Sequence, residues 1–167
     1  MLRAVKLPEV GGDTLFASME AGFDALSAKT QAFVDGLTAL HDGGPNLERA
    51  AGLVGSETPS DPVVHPVIRR HPDTGTRCVF VNRLFTTHIL GLTAHESAAV
   101  LAALFEHLEK PKFQCRFLWK PGSVAFWDNR CTQHLAIWDY FPETRHGYRV
   151  TIKGDKPYFQ EQTASIS

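Results

Sequence analysis

The chain has 167 residues, 43% hydrophobic and 21% charged, with a net charge of −1, the composition of one globular domain spanning 1–167. That charge balance gives no footing for nucleic acid or an anionic membrane surface, and no apolar run approaches the roughly 18 residues of a membrane span. Three cysteines (Cys78, Cys115 and Cys131) without CxxC spacing argue against a disulfide framework or zinc ribbon and, with no signal-peptide layout, predict a reducing, cytoplasmic setting.

In chain order, "MLRAVKLPEV" alternates apolar and basic residues up to Pro8, which predicts a strand over residues 1–7. "GGDTLFASM" adds a Gly-Gly turn and a second extended run. Met19, Phe23 and Leu26 repeat at helical spacing, as do Phe33, Leu37 and Leu40 after Ser27, a candidate cap. Residues 42–62 carry Gly, Pro, Ser and Asp at both ends, a loop with room for one helical turn. Two β-branched runs, 63–70 and 77–83, flank "HPDTGT", so a hairpin is expected there. Thr93 and Glu96 form a capping-box pattern that opens a helix over 95–109, with Val100, Leu101, Leu104, Phe105 and Leu108 on its buried side and Pro111 at its end. Strands are expected at 113–119, 123–128 and 146–153. Many short strands with helices grouped outside them suit a mainly β jelly roll.

The stretch 127–157 holds the candidate chemistry. His134 follows the strand that begins "SVAFWDN", and taken alone a histidine there is more often a satisfied core or surface histidine than a ligand. Arg145 and Arg149 are four apart, an even spacing that puts both on one face of a strand. They read as solvated strand arginines or as paired anion clamps, because a guanidinium matches carboxylate and sulfonate oxygens. Spacing alone leaves both readings open.

Taken together, "WDNRCTQH", "ETRHGYR" and "VTIKGDKP", with "VHPVIRRHPDTG", "FVNRLFTTHI", "FQCRF" and "LPEVGGDTL" upstream, resemble the taurine dioxygenase family of Fe(II)/2-oxoglutarate-dependent oxygenases. The resemblance implies a double-stranded β-helix, a jelly-roll variant. Its activity would be hydroxylation of the carbon beside a sulfonate or sulfate. The products would be an aldehyde with sulfite or sulfate, and succinate and carbon dioxide would come from the cosubstrate. It implies Fe(II) as cofactor, 2-oxoglutarate as cosubstrate, a small anionic substrate with O2, and association into homo-oligomers. By position, His134 matches the distal histidine of the iron site. Arg145 and Thr14 match the pair that holds the distal carboxylate of 2-oxoglutarate, Arg149 matches the arginine that holds the sulfonate, and Phe85 matches an aromatic packed on the substrate. Trp127 is expected beside the iron pocket.

One departure from the family pattern stands out. The family's iron is held by two histidines and a carboxylate, leaving one face open, and its HxD pair lies upstream of the "GGDT" turn. Here only thirteen residues precede Thr14 and none is a histidine, so the jelly roll is expected to be incomplete at the N-terminus. His71-Pro72-Asp73 falls at the hairpin turn and is expected to be exposed and away from His134. His107-Leu108-Glu109 closes an amphipathic helix, His65 and His88 read as strand histidines, and Cys131 reads as a small filler. Three readings follow: a dioxygenase whose HxD segment is missing from this chain, a non-catalytic relative that keeps anion binding, and a jelly-roll interaction module with a vestigial site.

Overall fold

The computed structural model describes residues 1–42 and 62–159; the expected loop at 42–62 lies almost wholly outside them. Eleven strands are described: β1 Leu2–Lys6, β2 Thr14–Ser18, β3 Thr38–His41, β4 Val63–Pro66, β5 Ile68–Arg70, β6 Arg77–Val79, β7 Thr86–Ile89, β8 Gln114–Phe117, β9 Val124–Ala125, β10 Thr132–Ala136 and β11 His146–Arg149. Three α-helices accompany them among the described residues: α1 Met19–Asp24, α2 Ala28–Val34 and α3 Ala94–Leu108.

Two antiparallel three-stranded sheets frame the site. Sheet A runs β11-β1-β9 and sheet B runs β10-β2-β8. Consecutive strands alternate between them: β1 and β2, then β8, β9, β10 and β11. That alternation winds the chain back and forth across the gap, as a jelly roll requires. On the far side, β4-β3-β7 forms a third three-stranded sheet and the hairpin β5-β6 a two-stranded one. The hairpin pairs Ile68 with Val79 and Arg70 with Arg77 across the "HPDTGT" turn, as the sequence predicts.

The core lies against these two sheets. Met19 and Phe23 of α1 and Leu101, Leu104, Phe105 and Leu108 of α3 pack on Val67, Ile68, Val79, Val81 and Ile89. The expected capping box is present, with Glu96 N–H donating to Thr93 Oγ1 at 3.4 Å and Thr93 N–H to Glu96 at 2.9 Å. Those reciprocal bonds satisfy donors that the first helical turn leaves unpaired.

Several expectations need correction. Ser27 does cap α2, but that helix stops at Val34, because Gly36 adopts φ +81° and ends it. Leu37 and Leu40 therefore leave the helix, Leu40 lies in β3, and Phe33 is exposed. The predicted 63–70 strand divides at Val67, whose N–H bonds Leu37 and whose carbonyl accepts from Phe80, so the chain changes sheets there. The 146–153 strand ends at Arg149, because pairing with β1 runs out at the Met1–Val150 bonds. His134 stands in the middle of β10 rather than beyond a strand end.

Candidate active site

Sheets A and B enclose a cavity of about 290 Å³. From sheet B come Thr14, His134 and Ala136, and from sheet A come Leu2, Ala4, Gly147 and Arg149. Arg145, Tyr140, Trp119 and Trp127 close it from the connecting segments. Register explains the grouping. On sheet B, Thr14 pairs with Ala136 and Phe16 with His134, so residues two apart on one strand face the same side. On sheet A, Leu2 pairs with Arg149 and Ala4 with Gly147, which turns Arg149 toward the same space. A side chain at Gly147 would meet the Arg3 carbonyl at 2.8 Å, so only glycine fits there.

The "GGDT" turn delivers Thr14. Gly11 and Gly12 both have positive φ, 84° and 72°, which side-chain-bearing residues rarely adopt. The Gly12 N–H donates to Asp139 Oδ1 at 2.7 Å, and the Arg116 Nε–H donates to Asp13 Oδ2 at 2.7 Å. Thr14 is 4% exposed. Its Oγ1 accepts from the Trp119 indole N–H at 3.0 Å and from Arg145 Nη2 at 3.2 Å.

Two guanidiniums, Arg145 and Arg149, line the cavity, and among the described residues no carboxylate does. Among the described residues neither arginine is ion-paired with an acid. Unneutralised cations converging on a concave site attract an anion, since positive charge there has no other partner. The ring of His134 lies 4.9 Å from that of Trp127 and 6.1 Å from that of Phe16. This packing lowers its pKa from the ordinary histidine value by desolvation first, and then through Arg149 and the N-terminal ammonium. At neutral pH the imidazole is therefore uncharged, the form that offers a lone pair to a metal.

The structure brings His134, Thr14, Arg145 and Arg149 together, with Trp127 beside them. Phe85, expected in the wall, is not among the lining residues. It is held in the turn before β7, where Asn82 Oδ1 accepts its N–H at 2.8 Å, and it is 40% exposed. His71-Pro72-Asp73 is likewise absent from the cavity, but the picture of a wholly exposed turn is corrected. His71 is 6% exposed and its Nε2 lies 3.2 Å from Asp128 Oδ2, while its Nδ1 accepts from the N–H groups of Asp73 and Thr74. Trp119, Tyr140 and His146 also reach the cavity; the sequence reading gave them no role.

Among the described residues, the one cluster with three metal-competent donors is His71, Asp128 and Cys131. It makes a poor cation site. Arg130 occupies Asp128 with bonds of 2.7 to 3.0 Å and holds that carboxyl far below the usual carboxylate range. His71 spends Nδ1 as an acceptor, so the hydrogen on its Nε2 points to Asp128 rather than leaving a lone pair.

Residues 1–151 match the family described as taurine catabolism dioxygenase TauD, TfdA family. The chain belongs to that family. It is 38% identical over 160 residues to a putative alpha-ketoglutarate-dependent sulfonate dioxygenase of Schizosaccharomyces pombe, covering 94% of this chain and 41% of that protein. Against an alkylsulfatase of Acinetobacter baylyi it is 32% identical over 168 residues, 93% of this chain and 52% of the other. Among solved structures, a taurine dioxygenase from Burkholderia xenovorans superposes with a TM-score of 0.82 and 42% identity, over 93% of this chain and 52% of that one. AAD-2 in complex with Mn(II) and N-oxalylglycine superposes with a TM-score of 0.81 and 27% identity, over 95% of this chain and 64% of that one. This likeness shows the jelly-roll fold expected of a TauD/TfdA chain. The chain thus spans about half the length of the relatives it matches.

The family implies an iron centre, and the donor set tests it. His134 is neutral and faces the cavity, but no three-donor cluster among the described residues includes it. A facial triad needs two further protein ligands. The described residues do not complete one.

Proposed function

We propose that this chain carries the anion-holding half of a 2-oxoglutarate-dependent dioxygenase that acts on small sulfonates or sulfate esters, as one dioxygenase domain over 1–167. The observation that supports it is the convergence of two unpaired guanidiniums, a hydroxyl and a neutral imidazole in one cavity. Arg145 and Thr14 are assigned the distal carboxylate of 2-oxoglutarate, Arg149 the sulfonate or sulfate, and His134 one position on Fe(II). Each guanidinium supplies a fixed fork of donors to a planar or tetrahedral oxyanion, which fixes orientation as well as affinity. Holding both anions in one cavity sets the substrate carbon against the cosubstrate, and that positioning is the protein's own share of the catalysis. Phe85 is assigned a substrate contact, made by movement of its exposed turn toward the cavity. A cytoplasmic setting belongs to this reading and is supported by three free cysteines, and homo-oligomers are part of it by family likeness. No described helix is long and apolar enough to cross a membrane.

Calorimetric titration tests the assignments. Arg145→Ala should weaken 2-oxoglutarate binding about 10- to 100-fold, the range for a charge-assisted hydrogen bond, and leave ethanesulfonate binding nearly unchanged. Arg149→Ala should do the reverse. Equal loss of both ligands in both variants would contradict separate anchors.

The incomplete donor set favours a second reading, an anion-binding relative that does not turn over. With Fe(II), 2-oxoglutarate and taurine, the 167-residue chain is expected to make no substrate-dependent succinate. Measurable turnover would remove this reading and show that an additional imidazole and carboxylate reach His134.

A further inference from the structure

We infer that Trp119 is a positioning residue for the distal carboxylate of the cosubstrate, acting through Thr14 and Arg145. The inference rests on the reading that these two residues hold that carboxylate. A threonine hydroxyl has two lone pairs and one proton. At Thr14 both lone pairs are taken, by the Trp119 indole N–H at 3.0 Å and by Arg145 Nη2 at 3.2 Å. The hydroxyl hydrogen is all that remains, and it is the donor Thr14 keeps for an acceptor in the cavity that it lines. Thr14 is 4% exposed, so its side chain has little direct access to bulk water.

The same indole fixes Arg145. Its ring lies 5.1 Å from the guanidinium carbon, a cation–π distance that orients the planar fork. Trp119 is itself braced edge-on against Phe117 at 4.8 Å, and Phe117 against Phe16 at 6.4 Å. One side chain therefore aligns a neutral and a charged donor toward a single anion. Trp127 differs, because its indole N–H donates to Asn129 Oδ1 at 2.7 Å and is not available to the site.

The decisive experiment is a double-mutant cycle on the 167-residue chain. It uses Trp119→Phe, Thr14→Val and the pair, titrated with 2-oxoglutarate and with 2-oxopentanoate, which lacks the distal carboxylate. Trp119→Phe keeps an aromatic ring and removes the N–H. It should weaken 2-oxoglutarate about three- to tenfold, the usual effect of one neutral hydrogen bond, and leave 2-oxopentanoate unchanged. In the Thr14→Val background the same substitution should cost less than about twofold, because the group it acts through is gone. Equal weakening of both acids, or the same factor in both backgrounds, would reduce Trp119 to a packing role. If the wild-type chain itself fails to prefer 2-oxoglutarate, the carboxylate assignment falls and the inference falls with it. Should Trp119→Phe not fold, hydrogen exchange of the wild-type indole decides: it should slow when 2-oxoglutarate is added, and an unchanged rate would overturn the proposal.

Discussion

The helix side and the site side of this molecule are built differently. Around α1 and α3, large apolar side chains such as Phe23, Ile68, Val79 and Ile89 are fully enclosed. Around the cavity, sheets A and B leave Leu118, Phe126, Leu135 and Tyr148 at 62% exposure or more. The helix side is held by apolar burial, which is close-packed and indifferent to direction. The site side is held by strand ladders and by directional bonds such as Arg116 to Asp13 and Trp119 to Thr14. Stability and anion binding therefore rest on separate sets of residues.

The largest expected effect breaks the core alone. Phe23→Ala should cost about 3–5 kcal/mol in urea unfolding, for lost transfer energy plus a cavity, whereas Phe126→Ala should stay within about 0.5 kcal/mol. Similar costs at the two positions would erase the contrast. A second test reaches the segment after β11, which bonds β5 through Tyr158 and Asp155. Arg69 is buried and its Nη2 bonds Asp155 Oδ2 at 2.7 Å, with Phe80 beneath the guanidinium. Asp155→Ala leaves that charge without its acid and should cost about 2 kcal/mol, below the usual figure for a fully buried pair because Asp155 is partly exposed. The Arg145→Ala effect on 2-oxoglutarate should persist undiminished in that variant if the two regions are independent, which parallel titrations would check.

A smaller effect is expected from pH. His41 and His65 pack against each other and against Phe80, and His41 Nε2 and His65 Nδ1 are buried without hydrogen-bond partners among the described residues. Burial pushes the His41 pKa down to about 4, and the neighbouring His65 adds to the shift. The unfolded chain takes up this proton near pH 6.5 while the fold resists it. The neutral ring thus stabilises the fold above about pH 6.5, and that contribution is lost as pH falls toward about 4. His41→Phe should flatten the drop in urea midpoint between pH 7 and pH 4.5. An identical pH profile in the variant would exclude this pair as its source.

Local signals were legible in the sequence where local chemistry decides. The Thr93–Glu96 box, the Ser27 cap and the hairpin turn at 71–76 each depend on a few adjacent residues, and each is present in the structure. Helical spacing misled at Leu37 and Leu40, because Gly36 stops α2 and β3 is recruited by β4 and β7 instead. Within the site, Thr14, His134, Arg145 and Arg149 came from family resemblance, and their convergence is a result of strand register. Trp119 carried no signal, since its partner Thr14 is 105 positions away in the chain. Burial of His71 was equally hidden, because Asp128 reaches it from another strand connection.

That the site side holds the cosubstrate anion is tested most directly by nitrogen-15 NMR of the 167-residue chain during titration with 2-oxoglutarate. Its three indole N–H groups report on different places. Trp119 and Trp127 line the cavity, and Trp138 does not. On titration the Trp119 indole should move most and Trp127 less, together with the Thr14 amide, while Trp138 and the amides of α3 stay still. Movement confined to Trp138 or α3, or no movement at saturating ligand, would contradict it.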